Sequence, residues 1–444
     1  MHNIKEYLKW KFWLKGVDNF IQDSYSYKSY GYMERMREEP IVLHKEEDYM
    51  TRPLEGIKVL DFSRALAGPY CTMLLADMGA EVIKVEAPGT GDDSRAWGPP
   101  FIEGESAYFL SINRNKKSIS LNLKSKDAKE IINRLIKKAD VLLETNRPGA
   151  MERLGLDYDN VKKINPQIIY CSISGFGQTG PYRERPGFDQ VLQGMGGIMG
   201  ITGEPGGPPI KVGVAVTDIA TGMFAAIGIL TALFHRERTG EGQMIDASML
   251  DGQVSWLTYQ AGRYLTSGEV PEKVGSGHPL IVPYQAFKAK DAYINIAVGN
   301  DNLWQKFCEA TGLQHIANDP KFATNGQRVK NRAEVVDIIS KVIATKTMDE
   351  WLEILDKAGV PCGPIYTIDR IFSDPQVLAR DMLVEVDHPK CGKIKVTGVP
   401  IKFSKTPGEI KSPPPTLGQH NEEILKELGF GDSDIEKFKA DKTI

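Results

Sequence analysis

The chain has 444 residues, of which 41% are hydrophobic and 25% charged, with a formal net charge of −3. That length buries a large core and exceeds one ordinary domain, so two domains are expected, and the near-neutral balance excludes a dedicated polyanion binder, so no nucleic-acid partner is expected. The five cysteines, Cys71, Cys171, Cys308, Cys362 and Cys391, are odd in number and lack CxxC spacing, which fits reduced thiols better than a disulfide frame or a zinc site.

Residues 1–49 differ from the rest: IKEYLKWKFWLKG has the pattern of a basic amphipathic helix, followed by a Tyr- and Ser-containing stretch and the charged run HKEED. Without the apolar region of a secretory signal, this segment reads as a solvated extension, with membrane-surface binding or organelle import as the alternatives. The expected location is cytoplasmic, or the mitochondrial matrix if the extension is an import signal.

From Gly56 the pattern becomes strand, helix, strand, with IKVLDF, then PYCTMLLADMG, then AEVIKVE, and such a unit forms a right-handed parallel crossover. Lys126 to Ala139 places Ile131, Ile132, Leu135 and Ile136 on one helical face, and DVLLET follows as another strand. A short helix over Asn160 to Ile164 and the buried strand IIYCSISGFG complete the pattern of an α/β fold with a large doubly wound, Rossmann-like sheet. GEPGGPPIKVGVAV combines a turn with a β run, and a long Ala- and Gly-rich helix is expected to begin at Asp218 or Ile219. Its apolar part, Ile219 to Phe234, is too short to span a bilayer, so no transmembrane segment is expected.

Past GSGHPLIVPYQAF, the strand DAYINIAVG and helices around Trp304 to Thr311, Ala333 to Ala344 and Met348 to Ala358 suggest a smaller α+β domain. β patterning returns from Leu383 to Phe403, and SPPP precedes a final helical stretch near Asn421. The expected organisation is an extension over 1–49, the first part of the large domain over 50–250, a linker with a Gly-containing loop over 251–285, a small domain over 286–380 and a C-terminal segment over 381–444.

Glu86 closes the second strand where dinucleotide enzymes place a ribose-binding acid, but the preceding loop reads DFSRALAGPY and lacks the G-x-G-x-x-G glycines that admit a pyrophosphate. There is no G-x-S-x-G elbow, HExxH pair or P-loop, and the seven histidines are dispersed, so no metal ligands are assigned. Asp218 is the most informative acid, because it follows VGVAV and opens a helix whose N-terminal field is expected to keep it ionised and to stabilise an oxyanion. The other reading of Asp218 is an ordinary helix N-cap.

The segments LEGIKVLDFSRALAGPYCTMLLADMGAEVIKVE, NRNKKSISLNLK, RPGAMERLG, YCSISGFGQTGPY, GVAVTDIATGMFA, HRERTGEGQMID, VPYQAFK and AGVPCGPI occur in an order that resembles the family III coenzyme A transferases. The resemblance runs from about Pro53 to the C-terminus. It implies an enzyme in which Asp218 attacks an acyl-CoA thioester and carries CoA between carboxylic acids, with CoA as substrate and no tightly bound cofactor. It implies CoA contacts from Arg64, Ala65, Leu66 and Ala67, from Ala87, from Leu121 to Lys124, and from Thr145, Asn146, Arg147 and Arg153. ETNRPG stands where relatives commonly read ENFRPG, and Ala87 stands where an Arg or Lys is often found. Gly275, Gly277 and His278 belong to a segment that resembles a loop closing over the nucleophile; an interdomain turn is the alternative.

GSGHPLIVPYQAFKAKD and SPPPTLGQH are similar to a branch that moves CoA from succinyl-CoA to dicarboxylic acids, with Arg64, Arg183 and Arg185 as candidate partners of the distal carboxylate. The resemblance further implies an interlocked homodimer, or a heteromer with a paralogue, and a C-terminal segment that returns to the large domain. Two other functions remain: a 2-methylacyl-CoA racemase, which would need a His where Phe188 precedes Asp189, and a non-catalytic acyl-CoA-binding subunit.

Overall fold

Six strands line up in one parallel sheet in the computed structural model, which describes residues 52–444. The amphipathic helix and the import or membrane role expected of residues 1–49 lie outside the described residues. The strands are β1 (Lys58–Phe62), β2 (Glu81–Glu86), β3 (Lys116–Ser120), β4 (Val141–Glu144), β5 (Ile169–Ser174) and β6 (Met244–Ser248). Their spatial order is β3-β2-β1-β4-β5-β6, with every neighbouring pair parallel. The order reverses between β1 and β4, which leaves a crevice at the carboxyl ends of those two strands, where open α/β sheets bind ligands.

β4 and β5 are buried throughout because helices cover both faces of the sheet. One face carries α2 (Lys126–Lys138), whose Ile131, Ile132, Leu135 and Ile136 pack on Leu60 and Leu142. The other carries α1 (Ala67–Asp77) and, beyond the short α3 (Asp189–Met195), the long α4 (Val216–Thr239), with Cys71, Leu75, Ala225 and Ile229 packed on Val59, Val141 and Leu143. α1 and α4 approach closely because Gly222 has no side chain: a Cβ there would lie 2.5 Å from the Ala67 carbonyl oxygen. α4 is long and apolar enough to cross a membrane by length and composition, yet Ala220, Ala225, Ala226, Ile229 and Ala232 are buried in this core. Its other face leaves Met223, Phe224, Ile227, Leu230 and Phe234 exposed.

Four elements differ from expectation. KKSIS and MIDAS form β3 and β6, although neither reads as a strand from its composition. β3 hides because its Lys116 is buried against Asp61 at 3.2 Å, so a charged residue occupies a core position. VGVAV is not a strand: it has no neighbouring strand, and the Gln193 side-chain amide bonds its backbone instead, accepting from the Val212 N–H at 2.8 Å. The expected linker over 251–285 is helical in its first part, within α5 (Met249–Ser255) and α6 (Thr258–Ser267).

A second core is drawn wholly from residues 282–360, around Trp304, Phe307, Ile339 and Trp351. It packs helices against an antiparallel sheet of β7 (Tyr284–Lys288), β8 (Tyr293–Ala297) and β9 (Cys362–Pro364). The chain then forms an antiparallel hairpin, β10 (Leu383–His388) and β11 (Gly392–Thr397), and two further helices, α7 (Asn421–Glu427) and α8 (Asp432–Ala440), follow. Ile424, Leu425, Phe430, Ile435 and Phe438 from this tail belong to the same core as Leu60, Ile83 and Ile119 of the parallel sheet.

Candidate active site

β1 and β4 deliver two loops to the crevice, and the Arg64 N–H donates to Thr145 Oγ1 at 3.0 Å, tying the loops across the point where strand order reverses. A cleft of about 610 Å³ opens on one side, lined by Arg64, Glu86, Ala87, Leu121, Lys124 and Asn146 among others. A second pocket of about 300 Å³ holds Asp218 together with Ala65, Ala67, Thr145, Arg147 and Arg185. Arg64, Asp93 and Asn146 line both, so the larger cleft and the Asp218 pocket adjoin across these side chains.

Asp218 is the third residue of α4, and the N-cap position is Ala215, which offers no capping side chain. The helix is capped from outside: Asp189, the first residue of α3, accepts from the Thr217 N–H at 3.0 Å through Oδ1 and from Gln193 Nε2 at 2.8 Å through Oδ2. The N-cap reading of Asp218 therefore gives way, since its neighbour does that work and leaves the Asp218 carboxylate free for a ligand. Burial pushes the Asp218 carboxyl up, the Asp189 charge adds to the rise, and the Ala67 backbone N–H opposes both, leaving it at about 7. Desolvation and a second carboxylate thus work against the helix field expected to keep Asp218 ionised.

Tyr108 is pushed up to about 12 by burial first and then by Asp218, Asp92 and Asp189, so it keeps its proton beside these acids at neutral pH. Its ring packs edge-on to Trp97 with centroids 5.0 Å apart. The arginines of the Asp218 pocket differ in what already holds them. Arg64 lies 3.6 Å from Asp93 and donates to Asn146 at 3.4 Å, and Arg183 lies 3.4 Å from its neighbour Glu184. Arg185 stands over the rings of Tyr182 and Phe176 at 4.6 and 5.5 Å, with no carboxylate partner among the described residues.

Of the residues assigned from sequence, Arg64, Ala87, Leu121, Lys124 and Asn146 line the large cleft, while Ala65, Ala67, Thr145 and Arg147 gather around Asp218. Leu66 and Arg153 line neither: Leu66 precedes α1 with its carbonyl accepting from Tyr70, and Arg153 closes a short helix beside Gly149. Gly275, Gly277 and His278 also lie outside the Asp218 pocket. The Gly275 N–H is bonded to the Gly203 carbonyl at 3.0 Å, and the His278 ring sits between Tyr259 and Tyr284. Glu86 lines the cleft but is already engaged by Arg95 at 2.7 and 2.8 Å, by Ser118 at 2.7 Å and by the Asp92 N–H at 3.0 Å. Among the described residues no group of three His, Cys, Asp or Glu side chains is placed to hold a metal.

Sequence reasoning missed Tyr108, Asp92 and the capping role of Asp189. The acid pair in GDDSR was the only local signal for the second of these, and the fold alone brings the other two to Asp218.

The family model for CoA-transferase family III matches residues 54–421. The succinyl-CoA:glutarate CoA-transferase of Mus musculus is 46% identical over 387 residues, covering 87% of this chain and 89% of that protein. A succinate–glutarate CoA-transferase of Agrobacterium fabrum is 44% identical, over 85% of this chain and 96% of its own length. The crystal structure of a CaiB/BaiF family protein from Brucella suis superposes with a TM-score of 0.77 at 45% identity, covering 85% of this chain and all of that one. The crevice at the strand reversal, the adjoining pocket around a carboxylate that does not cap its helix and this match along most of the chain agree: the chain belongs to the family III CoA-transferases.

Proposed function

We propose that this enzyme moves CoA from succinyl-CoA to a dicarboxylic acid, glutarate foremost, with Asp218 as the covalent nucleophile. The observation that carries this reading is the large cleft adjoining the pocket of Asp218, a carboxylate that neither caps its helix nor has a cation paired to it among the described residues. The large cleft suits the CoA nucleotide, with Arg64 and Lys124 near its phosphates, and the smaller pocket suits the thioester. The bound names of the relatives support succinyl-CoA as donor and glutarate as acceptor.

Asp218 attacks the thioester carbonyl, the carbon–sulfur bond breaks, and an aspartyl–succinyl anhydride and CoA thiolate result. The thiolate attacks the aspartyl carbonyl, releasing succinate and leaving CoA on Asp218 as a thioester. The incoming carboxylate displaces the thiolate to form a second anhydride, and the thiolate returns to the new acyl carbon, which frees the acyl-CoA and restores Asp218. Each step is an acyl substitution that exchanges a carbon–sulfur for a carbon–oxygen bond or the reverse, with one thioester made for each consumed and no change of oxidation state, so the exchange needs no redox cofactor. The first turn of α1 supplies backbone N–H groups, Ala67 foremost, for the transient oxyanions. Arg185, near two aromatic rings and without a carboxylate partner among the described residues, is the preferred partner for the distal carboxylate, with Arg147 of the same pocket the alternative. The exposed apolar face of α4 suits burial in an interlocked homodimer, and the loop around Gly275 and Gly277 suits closure over the bound thioester.

Incubation with succinyl-CoA followed by hydroxylamine trapping and peptide mapping tests the proposal. An adduct at Asp218, absent from Asp218→Asn, is expected, and Asp218→Asn retaining turnover refutes the assignment. Phe188 in place of an imidazole disfavours the racemase, whose mark is α-proton exchange without an adduct. Transfer to glutarate by the isolated chain excludes a non-catalytic subunit.

A further inference from the structure

The loop that follows β1 contains an unusual residue. Ala65 has φ +66°, a left-handed conformation that L-residues other than Gly, Asn and Asp seldom adopt, and such positions persist only where the surroundings enforce them. Here the enforcement is visible. The Ala65 N–H donates to Asp92 Oδ1 at 3.1 Å, and the other oxygen of Asp92 meets Lys84 Nζ at 2.7 Å. Neither Lys84 nor Asp92 exposes any side-chain surface. Lys84 Nζ also donates to the Ser63 carbonyl at 2.8 Å, so one buried ammonium holds the loop at Ser63 directly and at Ala65 through Asp92. Asp92 is fixed in turn by Ser94, whose N–H and hydroxyl donate to it at 2.9 and 2.7 Å, and by its own N–H on Glu86 at 3.0 Å.

This arrangement has a destination. Two residues beyond Ala65 the chain enters α1, and the backbone N–H of Ala67 faces Asp218. We propose that the Lys84–Asp92 pair is a positioning device for the transfer reaction: by holding Ala65 left-handed, it aims the Ala67 N–H and the first turn of α1 at the carboxylate that becomes acylated. Asp92 is a positioning residue, acting through Ala65. Two charges withdrawn from water gain little stability by themselves, so the pair's bonds to the Ser63 and Ala65 backbone are its main structural effect.

The proposal rests on Asp218 as nucleophile, and trapping of the Asp218 adduct in the unaltered enzyme reads that premise separately. The test compares two substitutions at Ala65 that differ in backbone preference and alter neither member of the buried pair. Asn tolerates the left-handed region, whereas β-branched Val does not. Ala65→Val is expected to lower kcat at least tenfold below Ala65→Asn, approaching the ~100-fold loss typical of a misplaced oxyanion donor, while KM for succinyl-CoA differs less than about threefold between the two. Asp92→Asn, checked for folding by its melting curve and near-UV spectrum, is expected to share the fall in kcat. Equal kcat for Ala65→Val and Ala65→Asn overturns the proposal, as does a difference confined to KM. If Asp92→Asn does not fold, the Ala65 pair alone decides.

Discussion

Asp218 sits at about 7 because burial and the Asp189 charge raise it against the pull of the Ala67 N–H. The nucleophile must be ionised, so kcat/KM is expected to fall as pH drops through about 7, along a limb governed by a carboxyl rather than an imidazole. Asp189→Asn keeps an oxygen for the Thr217 N–H but removes the neighbouring charge, and a pH–rate profile is expected to show that limb displaced to lower pH. The same shift has a thermodynamic sign. A carboxyl whose native pKa lies above its unfolded value of 3.8 binds more protons when folded, so its contribution turns unfavourable as pH rises from 3.8 to about 7. Asp218→Asn is therefore expected to melt higher than the unaltered enzyme at pH 8, with the gap closing toward pH 4, as scanning calorimetry at the two pH values reads. Equal melting temperatures at pH 8 would show that the carboxylate carries no such cost. Asp218 was legible from its segment, whereas its perturbation was not, because Asp189 lies 29 residues away in sequence and meets it only through the packing of α3 on α4.

Among the elements, α1 and α4 govern the site, and Gly222 sets their separation. A Cβ at this position would meet the Ala67 carbonyl oxygen at 2.5 Å, a backbone atom that cannot move without shifting α1. Gly222→Ala is expected to destabilise the protein by about 1–3 kcal/mol in chemical denaturation and to lower kcat, since the same displacement draws the Ala67 N–H away from Asp218. A variant as stable and active as its parent would disprove the tight approach. The elements that sequence periodicity revealed were those with an ordinary division of labour: α2 shows one apolar face, and β1, β4 and β5 show apolar runs. β3 escaped because Lys116 is a core residue paired with Asp61, and β6 because it is an edge strand with Met244 and Asp246 exposed. VGVAV misled in the opposite sense, since β-rich composition cannot reveal that no strand edge awaits it.

At the scale of the molecule, the tail completes the sheet. The β3 edge is met by residues 418–443: the Ser118 N–H donates to His420 Nδ1 at 3.0 Å, the Ser120 N–H to Asn421 Oδ1 at 2.8 Å and the Asn122 N–H to the Thr443 carbonyl at 2.8 Å. A chain ending at residue 411 is expected to yield no soluble folded enzyme, because it uncovers Leu60, Ile83 and Ile119 together with an open strand edge. Expression followed by size-exclusion chromatography checks this, and a monodisperse product would refute it. The exposed apolar face of α4 leads to a second expectation, a dimer by sedimentation at micromolar concentration; a monomeric mass would leave that face without its proposed cover.

The same tail orders events during synthesis. The core over 282–360 is complete in one contiguous stretch, so it can close while translation continues, whereas the core that begins at Leu60 is finished only by Phe438. Until residues 418–443 are in place, the sheet that bears the CoA cleft has an open β3 edge, so closing the cleft domain waits on a segment about 300 residues further along the chain.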